Sequence, residues 1–422
     1  MRSGLFFLSG EHATNYLSQI FLLIFVASEI GPESFGVLSF ALLIQNSIHL
    51  ISALNLQRFL IRDLSSKTLK SIFPSVLSIR LVLLIFTSIL ALTWLQSTTR
   101  SDDQNLVYSV FIISSIFLSY DLFAGYFRYH NDFKISFKIN SFLTLLFIIF
   151  KIFAITYGNL QALFAVFILE VFLKFLFHLL IFYSRTSFSY SLEFVNKSYI
   201  KQLLYTGCFI TVGSVFFILI RRVPPFYLEV NNYPIELGYY LFALRISEIS
   251  TSINAIFADA FFPTMSKKFN KKNSEYIDKY IELSSVVFWV AILIFVTATI
   301  IAEPLLNFFN LESYLDSTKH LYPLLFATIF SSWAFLRASH LTLIKKTASQ
   351  MKITILSFLT SLISLVLFIN TDSVDKVAYS VIIGTFSSAL LFPLLFKETR
   401  LVVAFQIKAL NPLRAFYFFR KK

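Results

Sequence analysis

The 422-residue chain is poor in charge, cysteine and glycine. Only 14% of its residues are Asp, Glu, Lys or Arg, against about 25% in a typical soluble domain. That shortage excludes an ordinary soluble enzyme and a disordered chain. The single cysteine, Cys208, excludes an intrachain disulfide and any cysteine-based metal site. With ten glycines the chain is not collagen-like, and it has no glycine-rich phosphate loop. Zinc-type histidine spacing and a serine elbow are also missing. No cofactor is expected, and the chain reads as a carrier rather than an enzyme.

What the chain has instead is apolar length: 57% of its residues are hydrophobic and mean hydropathy is +0.73. A bilayer crossing takes about 20 apolar residues. Turn residues and charge clusters mark off twelve such segments, at about 8–28, 35–61, 73–96, 106–127, 135–156, 159–183, 202–220, 237–261, 283–302, 321–344, 353–369 and 377–396. No segment alternates with the period of a barrel strand, so the expected class is an all-α polytopic membrane protein. Pro32, Pro224, Pro225, Pro234, Pro263, Pro304 and Pro412 fall in predicted connections, Pro74 and Pro323 in first helical turns, and Pro393 inside a span. The start, MRSGLFFLSGEH, is interrupted by Glu11 and His12 and predicts an uncleaved first helix.

The net charge of +13 is orientation rather than a nucleic-acid footprint. With alternating spans, 25 of the 36 Lys and Arg fall on one side, 5 on the other and 6 within spans. The positive-inside rule then places both termini in the cytoplasm.

Gly36-Val37-Leu38-Ser39-Phe40-Ala41-Leu42 near the start of span 2 is echoed by Gly238-Tyr239-Tyr240-Leu241-Phe242-Ala243-Leu244 near the start of span 8. A displacement of six spans gives both halves one orientation, a parallel repeat. The expected layout is an N-lobe at 1–183, a cytoplasmic linker at 184–201, a C-lobe at 202–399 and a basic tail at 400–422, the two six-helix lobes surrounding a central cavity.

The run Ile30-Gly31-Pro32-Glu33-Ser34-Phe35-Gly36 resembles the first-loop signature of bacterial polysaccharide flippases. So does Glu236-Leu237-Gly238-Tyr239-Tyr240 with Ala243, Leu244, Arg245, Ile246 and Ser247, closing at Phe262-Pro263-Thr264-Met265-Ser266. These flippases belong to the multidrug/oligosaccharidyl-lipid/polysaccharide exporter superfamily. The resemblance implies a two-lobed fold in the bacterial inner membrane. It also implies a flippase that moves undecaprenyl-pyrophosphate-linked oligosaccharide, an O-antigen or related unit, to the periplasmic leaflet by alternating access. A multidrug or cation exporter of the same fold and a membrane-embedded polysaccharide polymerase are the alternatives. Implied partners are the lipid-linked substrate, membrane lipids, a proton or sodium ion for coupling, and glycan polymerase machinery.

A charge at mid-span costs roughly 2.5–3.5 kcal/mol on insertion scales, so each one kept there faces a partner, a cavity or a pathway. Arg245, Lys174, Arg58, Arg80 and Arg337, with Asn46 and His49, are the candidates to line the cavity and meet the diphosphate. Glu248, Glu170 and Asp259 are candidates for ion coupling. Each has a plainer alternative. Arg58, Arg80, Lys151 and Arg337 lie near span ends, where long side chains snorkel; Arg80 also has the option of a nearby carboxylate. Asp121 has Arg128 as an expected partner. Arg245 with Glu248, and Glu170 with Lys174, are spaced for helix-local ion pairs. Asp259 is close enough to the inner end of its span to be hydrated. Glu11 and His12 are either a solvated helix start or a proton relay. Gln45 and other polar residues of spans 1, 2 and 8 either line water or join helices. Arg221 and Arg222, at the outer end of span 7, would meet the diphosphate on exit or lipid headgroups. Residues 400–422 are either an amphipathic interfacial segment or a basic stop.

Overall fold

In the computed structural model, residues 2–54, 56–64, 68–98, 100–130, 132–186, 195–269, 273–344, 346–369 and 374–420 are described; side chains at 2–9, 12, 58, 62, 206, 208–210, 253–269, 273, 274, 342, 374, 416 and 418–420 lie outside the described set. No strand occurs among the described residues. Among the described residues, ten stretches are long and apolar enough to cross a bilayer. The first, Ala13–Ala53, is 41 residues long, about 60 Å at the helical rise and twice the hydrocarbon thickness, so it supplies the first two predicted spans. The predicted span at 237–261 also forms a helix, although much of its side-chain record lies outside the described set. The chain is therefore an all-α polytopic membrane protein of about twelve helices.

The chain divides into two compact units, Met1–Thr211 and Val212–Lys422. In the first, α1 (Arg2–Phe21) passes through a π turn (Leu22–Val26) into α2 (Ala27–Ala53). The run breaks at Gly31, which sits at φ 74°. Glycine tolerates that conformation and Pro32 starts the next helix with φ preset. Leu54, at φ 41°, ends α2, and α3 (Leu56–Asp63) completes the second span. Then come α4 (Leu69–Gln96), α5 (Asp102–Ser114) continued through a 3-10 turn into α6 (Tyr120–Tyr129), α7 (Phe133–Tyr157) and α8 (Leu160–Arg185).

The second unit takes most of α9 (Lys197–Val230), then α10 (Pro234–Phe269), α11 (Asn273–Phe308), α12 (Thr318–Leu343), α13 (Thr347–Ile369) and α14 (Tyr379–Phe386). Asn232 and Asn310, both at positive φ, close α9 and α11. Six-to-one bonds accompany them, from Tyr233 N to Leu228 O (3.0 Å) and from Leu311 N to Leu306 O (2.8 Å), which are Schellman closures.

The repeat is visible in the packing of each unit. In the first, α2 packs on α4 and α5, α4 on α5, and α7 on α8. In the second, the helices six spans on do the same: α10 packs on α11 and α12, α11 on α12, and α13 on α14. The repeated sequence is the buried stripe of its helix in both units, since Phe40, Ala41, Phe242 and Ala243 are all core residues.

Three expectations change. The unit boundary falls within α9, beyond 184–201. Its first turns belong to the first unit because Tyr199 donates to Asp63 (2.6 Å) and packs with Leu203 beside the stacked pair Phe73 and Phe182 (4.9 Å). Pro224, Pro225, Pro263 and Pro304 lie inside helices, not connections, because α9, α10 and α11 run past the apolar segments. Lys197–Val230 alone is 34 residues. The tail is more than a simple stop: α15 (Lys397–Lys408) and α16 (Leu413–Arg420) pack on α11, and buried Gln406 donates to the Trp333 carbonyl (3.0 Å). Pro393 sits in a 3-10 turn that follows a π turn at Ser387–Leu391.

Gly384 of α14 is a close-approach site: a Cβ there would lie 2.7 Å from Ser361 Cβ and 2.8 Å from Ile220 Cγ2. Gly384→Val should destabilise the second unit by about 1–3 kcal/mol, read as a lower melting temperature in detergent. Gly213→Ala, whose Cβ meets ordinary contacts from 3.4 Å outward, should melt near wild type.

Candidate functional site: charges buried at span depth

In the first unit Arg80 of α4 is fully enclosed (0% exposed). Its guanidinium donates to the His49 carbonyl (3.0 Å), Ser52 Oγ (2.9 Å) and His49 Nδ1 (2.6 Å). A guanidinium has no lone pair to offer, so Nδ1 accepts. Nε2 then carries the imidazole proton and points toward Asp121 Oδ2 at 3.8 Å, which also lies 3.5 Å from Arg80. Arg80 therefore does not snorkel, and the partner of Asp121 is Arg80 with His49, not Arg128. Arg128 lies 3.8 Å from Glu11. Glu11 is not solvated: it is buried and accepts from Asn140 Nδ2 (2.6 Å). The sequence spacing missed this because Arg128 lies one helical repeat from Asp121 on α6, while the real partners come from α2 and α4.

A second cluster joins α7 and α8. Glu170 accepts from Lys174 (2.6 Å), as its spacing predicted, and also from Lys151 (2.7 Å). Thr144 adds a long contact at 3.4 Å. Lys151 is only 3% exposed and its ammonium sits 4.0 Å from the Phe167 ring centre, so it is an ion-pair partner and not a snorkelling end residue. One carboxylate between two ammoniums leaves the cluster one charge positive. Gln45 donates to Ser114 Oγ (2.8 Å) in a buried bond and so joins α2 to α5. Asn46 is half-buried one turn before His49. The side chains of His12 and Arg58 lie outside the described residues.

The second unit treats its cations differently. Arg337 of α12 is 0% exposed. It donates to Gln350 Oε1 (3.1 Å), Ser388 Oγ (3.3 Å), the Ser388 carbonyl and the Ala389 carbonyl (3.5 Å). Among the described residues no carboxylate pairs with it. The two carbonyls are open for a covalent reason: helical partners four or five residues on would both be Pro393, which has no N–H. The proline visible inside a span is thus the sequence signal for an arginine socket on another helix.

Arg221 is also buried, inside α9 rather than at an outer end. It donates to Thr251 Oγ1 (3.1 Å) and Ser331 Oγ (3.2 Å), and its carbonyl accepts from Tyr240 (3.0 Å). Arg245 and Glu248 approach to 3.5 Å on α10, with side chains 15% and 36% exposed. Glu248 also attracts Arg221 and Arg222, while Arg245 repels Arg222. Arg221 and Arg222 of α9, Arg245 of α10 and Arg337 of α12 thus share their helices with Glu248 and, near the end of α9, with buried Glu229. Arg245, the partly exposed member, presents a guanidinium fork of the kind that binds anionic oxygens by charge-assisted bonds. The side chain of Asp259 lies outside the described residues. No group of three metal-ligating side chains occurs among the described residues.

The polysaccharide biosynthesis protein family matches residues 26–319. The fold is similar to a multidrug resistance MATE family transporter of the MOP superfamily in an inward-facing conformation, at TM-score 0.71 and 14% identity over 94% of this chain and 96% of that one. It is also similar to the lipid II flippase MurJ in an inward closed conformation, at TM-score 0.72 and 14% identity over 98% of this chain and 93% of that one. No curated protein matches the chain in sequence.

Glu170→Gln removes the carboxylate from between two buried ammoniums and should cost about 3–5 kcal/mol, seen as lost yield or a lower melting point. Replacing Lys151, Glu170 and Lys174 together by Met, Leu and Met should recover most of that loss. Pro393→Ala gives Ser388 or Ala389 an N–H partner and should lower stability through Arg337. The cycle with Arg337→Met should show a coupling of about 0.5–3 kcal/mol in the same melts.

Proposed function

Because the chain belongs to the polysaccharide biosynthesis protein family, we propose that it is a flippase for a lipid carrying a diphosphate-linked oligosaccharide, an undecaprenyl-pyrophosphate O-antigen or related unit. It works in the bacterial cytoplasmic membrane with both termini inside, as the charge bias indicates. The observation that carries the substrate class is that two buried arginines of the second unit, Arg337 and Arg221, are met by neutral oxygens among the described residues, with partly exposed Arg245 beside Glu248. A diphosphate crossing hydrocarbon needs fixed cations, whereas its polyprenyl tail needs only lipid. The matching fold of a lipid II flippase supports this reading.

Within the set the roles divide. Arg337 has its donors engaged by backbone and side-chain oxygens and acts as a fixed source of positive potential. Arg245 has a partner only at 3.5 Å and stays partly accessible, so it makes the direct contact. Glu248 sets how much of that charge is free, and its protonation or a bound sodium ion would couple transport to a gradient. Arg80 and Lys174 of the first unit are already bound to their own partners, with His49 accepting from Arg80. An organic-cation exporter would need the opposite balance, with carboxylates in excess.

Arg245→Gln should insert and melt like wild type while surface glycan in a dependent strain falls at least about tenfold, the loss of one charge-assisted phosphate contact. Wild-type glycan from a normally inserted Arg245→Gln protein would remove Arg245 from the site. Lys174→Gln, which leaves Glu170 paired with Lys151, should reduce glycan less.

A further inference from the structure

The side that the charge bias makes external has few cations, and most are enclosed. Arg100 is held over the rings of Trp94 (4.6 Å) and Tyr108 (5.7 Å). Arg221 is buried inside α9. Lys319 and Lys376, however, line one open cavity of ≈490 Å³ together with Tyr322, Phe368, Asp375 and Tyr379. It is built from the start of α12, the end of α13 and the approach to α14, all within the second unit.

Charge in the cavity is mixed. Lys319 bonds Asp316 at 2.9 Å and lies 3.9 Å from Asp375. Among the described residues Lys376 has no carboxylate partner. Lys319 between two carboxylates leaves that network one charge negative, and Lys376 beside it brings the cavity to balance, with a cationic and an anionic side.

Below the charged mouth the surface turns apolar along two helices. On α12, Tyr322, Phe326 and Phe330 follow one another at four-residue spacing and share a face. On α14, Tyr379, Ile383 and Phe386, spaced by four and then three residues, also share a face and are exposed at 47%, 37% and 43%. Phe330 and Phe386 meet at 5.3 Å between ring centres and tie the two stripes together. The result is a charged pocket at membrane-interface depth that opens onto an exposed aromatic track running toward the bilayer centre.

We propose that this is a binding site for a resident bilayer phospholipid, its phosphate on Lys376 and Lys319, its acyl chain along Tyr322–Phe326–Phe330 and Tyr379–Ile383–Phe386. Both parts of the molecule are needed to explain the site. A free glycan or inorganic phosphate would use the mouth and leave the track empty. A hydrocarbon alone would have no use for lysines whose aliphatic stems already reach the interface. Asp375 beside the lysines suits a headgroup that carries an ammonium as well as a phosphate, so phosphatidylethanolamine should be preferred over phosphatidylglycerol. The site lies wholly on one unit and shares no residue with the arginine set, so it stands independently of the flippase reading.

The test is native mass spectrometry of the full chain, purified in mild detergent and titrated with phosphatidylethanolamine or phosphatidylglycerol, beside K319A/K376A and F326A/F386A variants. The expected result is a phosphatidylethanolamine adduct on the wild type that survives delipidation. Occupancy should fall about tenfold in the lysine variant, the equivalent of one charge-assisted bond, and fall again in the aromatic variant. Melting temperatures identify any variant that has lost its fold, and in that case K376Q alone supplies the comparison. Equal adducts on wild type and K376Q would overturn the proposal. Displacement of the adduct by a stoichiometric polyprenyl diphosphate would also overturn it, because the site would then belong to transported lipid. Surface glycan in the same variants is read separately, and its loss or retention bears on the flippase reading alone.

Discussion

A charge placed in hydrocarbon must be met by a counter-charge, by hydrogen-bonding dipoles or by water, and the two units meet this constraint in different ways. The first unit uses carboxylates. Asp121 answers Arg80, Glu170 answers Lys151 and Lys174, and Glu11 answers Arg128. The second unit uses neutral oxygens. Arg337 sits among an amide, a hydroxyl and two carbonyls, and Arg221 among hydroxyls. Dipoles lower the cost of burying a guanidinium without cancelling its charge. Positive potential therefore survives in the second unit, where an anion can feel it.

That solution depends on irregular helices. A regular α-helix commits most of its carbonyls to its own N–H groups, so a carbonyl without a helical partner is the better acceptor for a neighbour. The π turn at Ser387–Leu391 and Pro393 after it open the ladder of the last span at one level, and Arg337 reaches in from α12. The other break, at Gly31 and Pro32, does mechanical work, since it converts one 41-residue apolar run into two spans. Both breaks are written in residue type: a proline with no donor, and a glycine free to take positive φ.

Much of the fold was legible because its signals are long. Twelve apolar runs, a biased charge distribution and a repeated Gly-x3-Phe-Ala-Leu stripe each average over many residues. The repeat needed structure to gain weight, because four matching residues become persuasive only when equivalent helix pairs also pack. The site was less legible because its partners are set by depth across helices rather than by spacing along one. Glu170 with Lys174 is a four-residue pair and was visible. Lys151 lies across the α7–α8 hairpin, about 9 Å below one end of the turn while Glu170 is about 15 Å below the other at the helical rise, a difference that a lysine stem spans. Asp121 was assigned to Arg128 because helix-local spacing counts only one helix. Matching opposite charges by depth over all pairs of neighbouring spans would have found Arg80 and Lys151.

The retained packing and the diverged charge together say what the duplication conserves. If the helix pairings of one unit were held in place by its ion pairs, a unit without those pairs could not reproduce them. Yet α10, α11 and α12 repeat the contacts of α2, α4 and α5 with Arg337 and Arg221 where no carboxylate bridge stands. What the halves share is the apolar stripe of Phe40 and Ala41, or Phe242 and Ala243, enclosed in each. Packing of apolar and small residues is thus sufficient for the architecture, as expected where lipid supplies no hydrophobic drive between helices. The buried charges add to the stability of each unit without dictating which of its helices pair. The first half meets its buried cations mainly with carboxylates, and the second meets Arg337 and Arg221 with neutral oxygens.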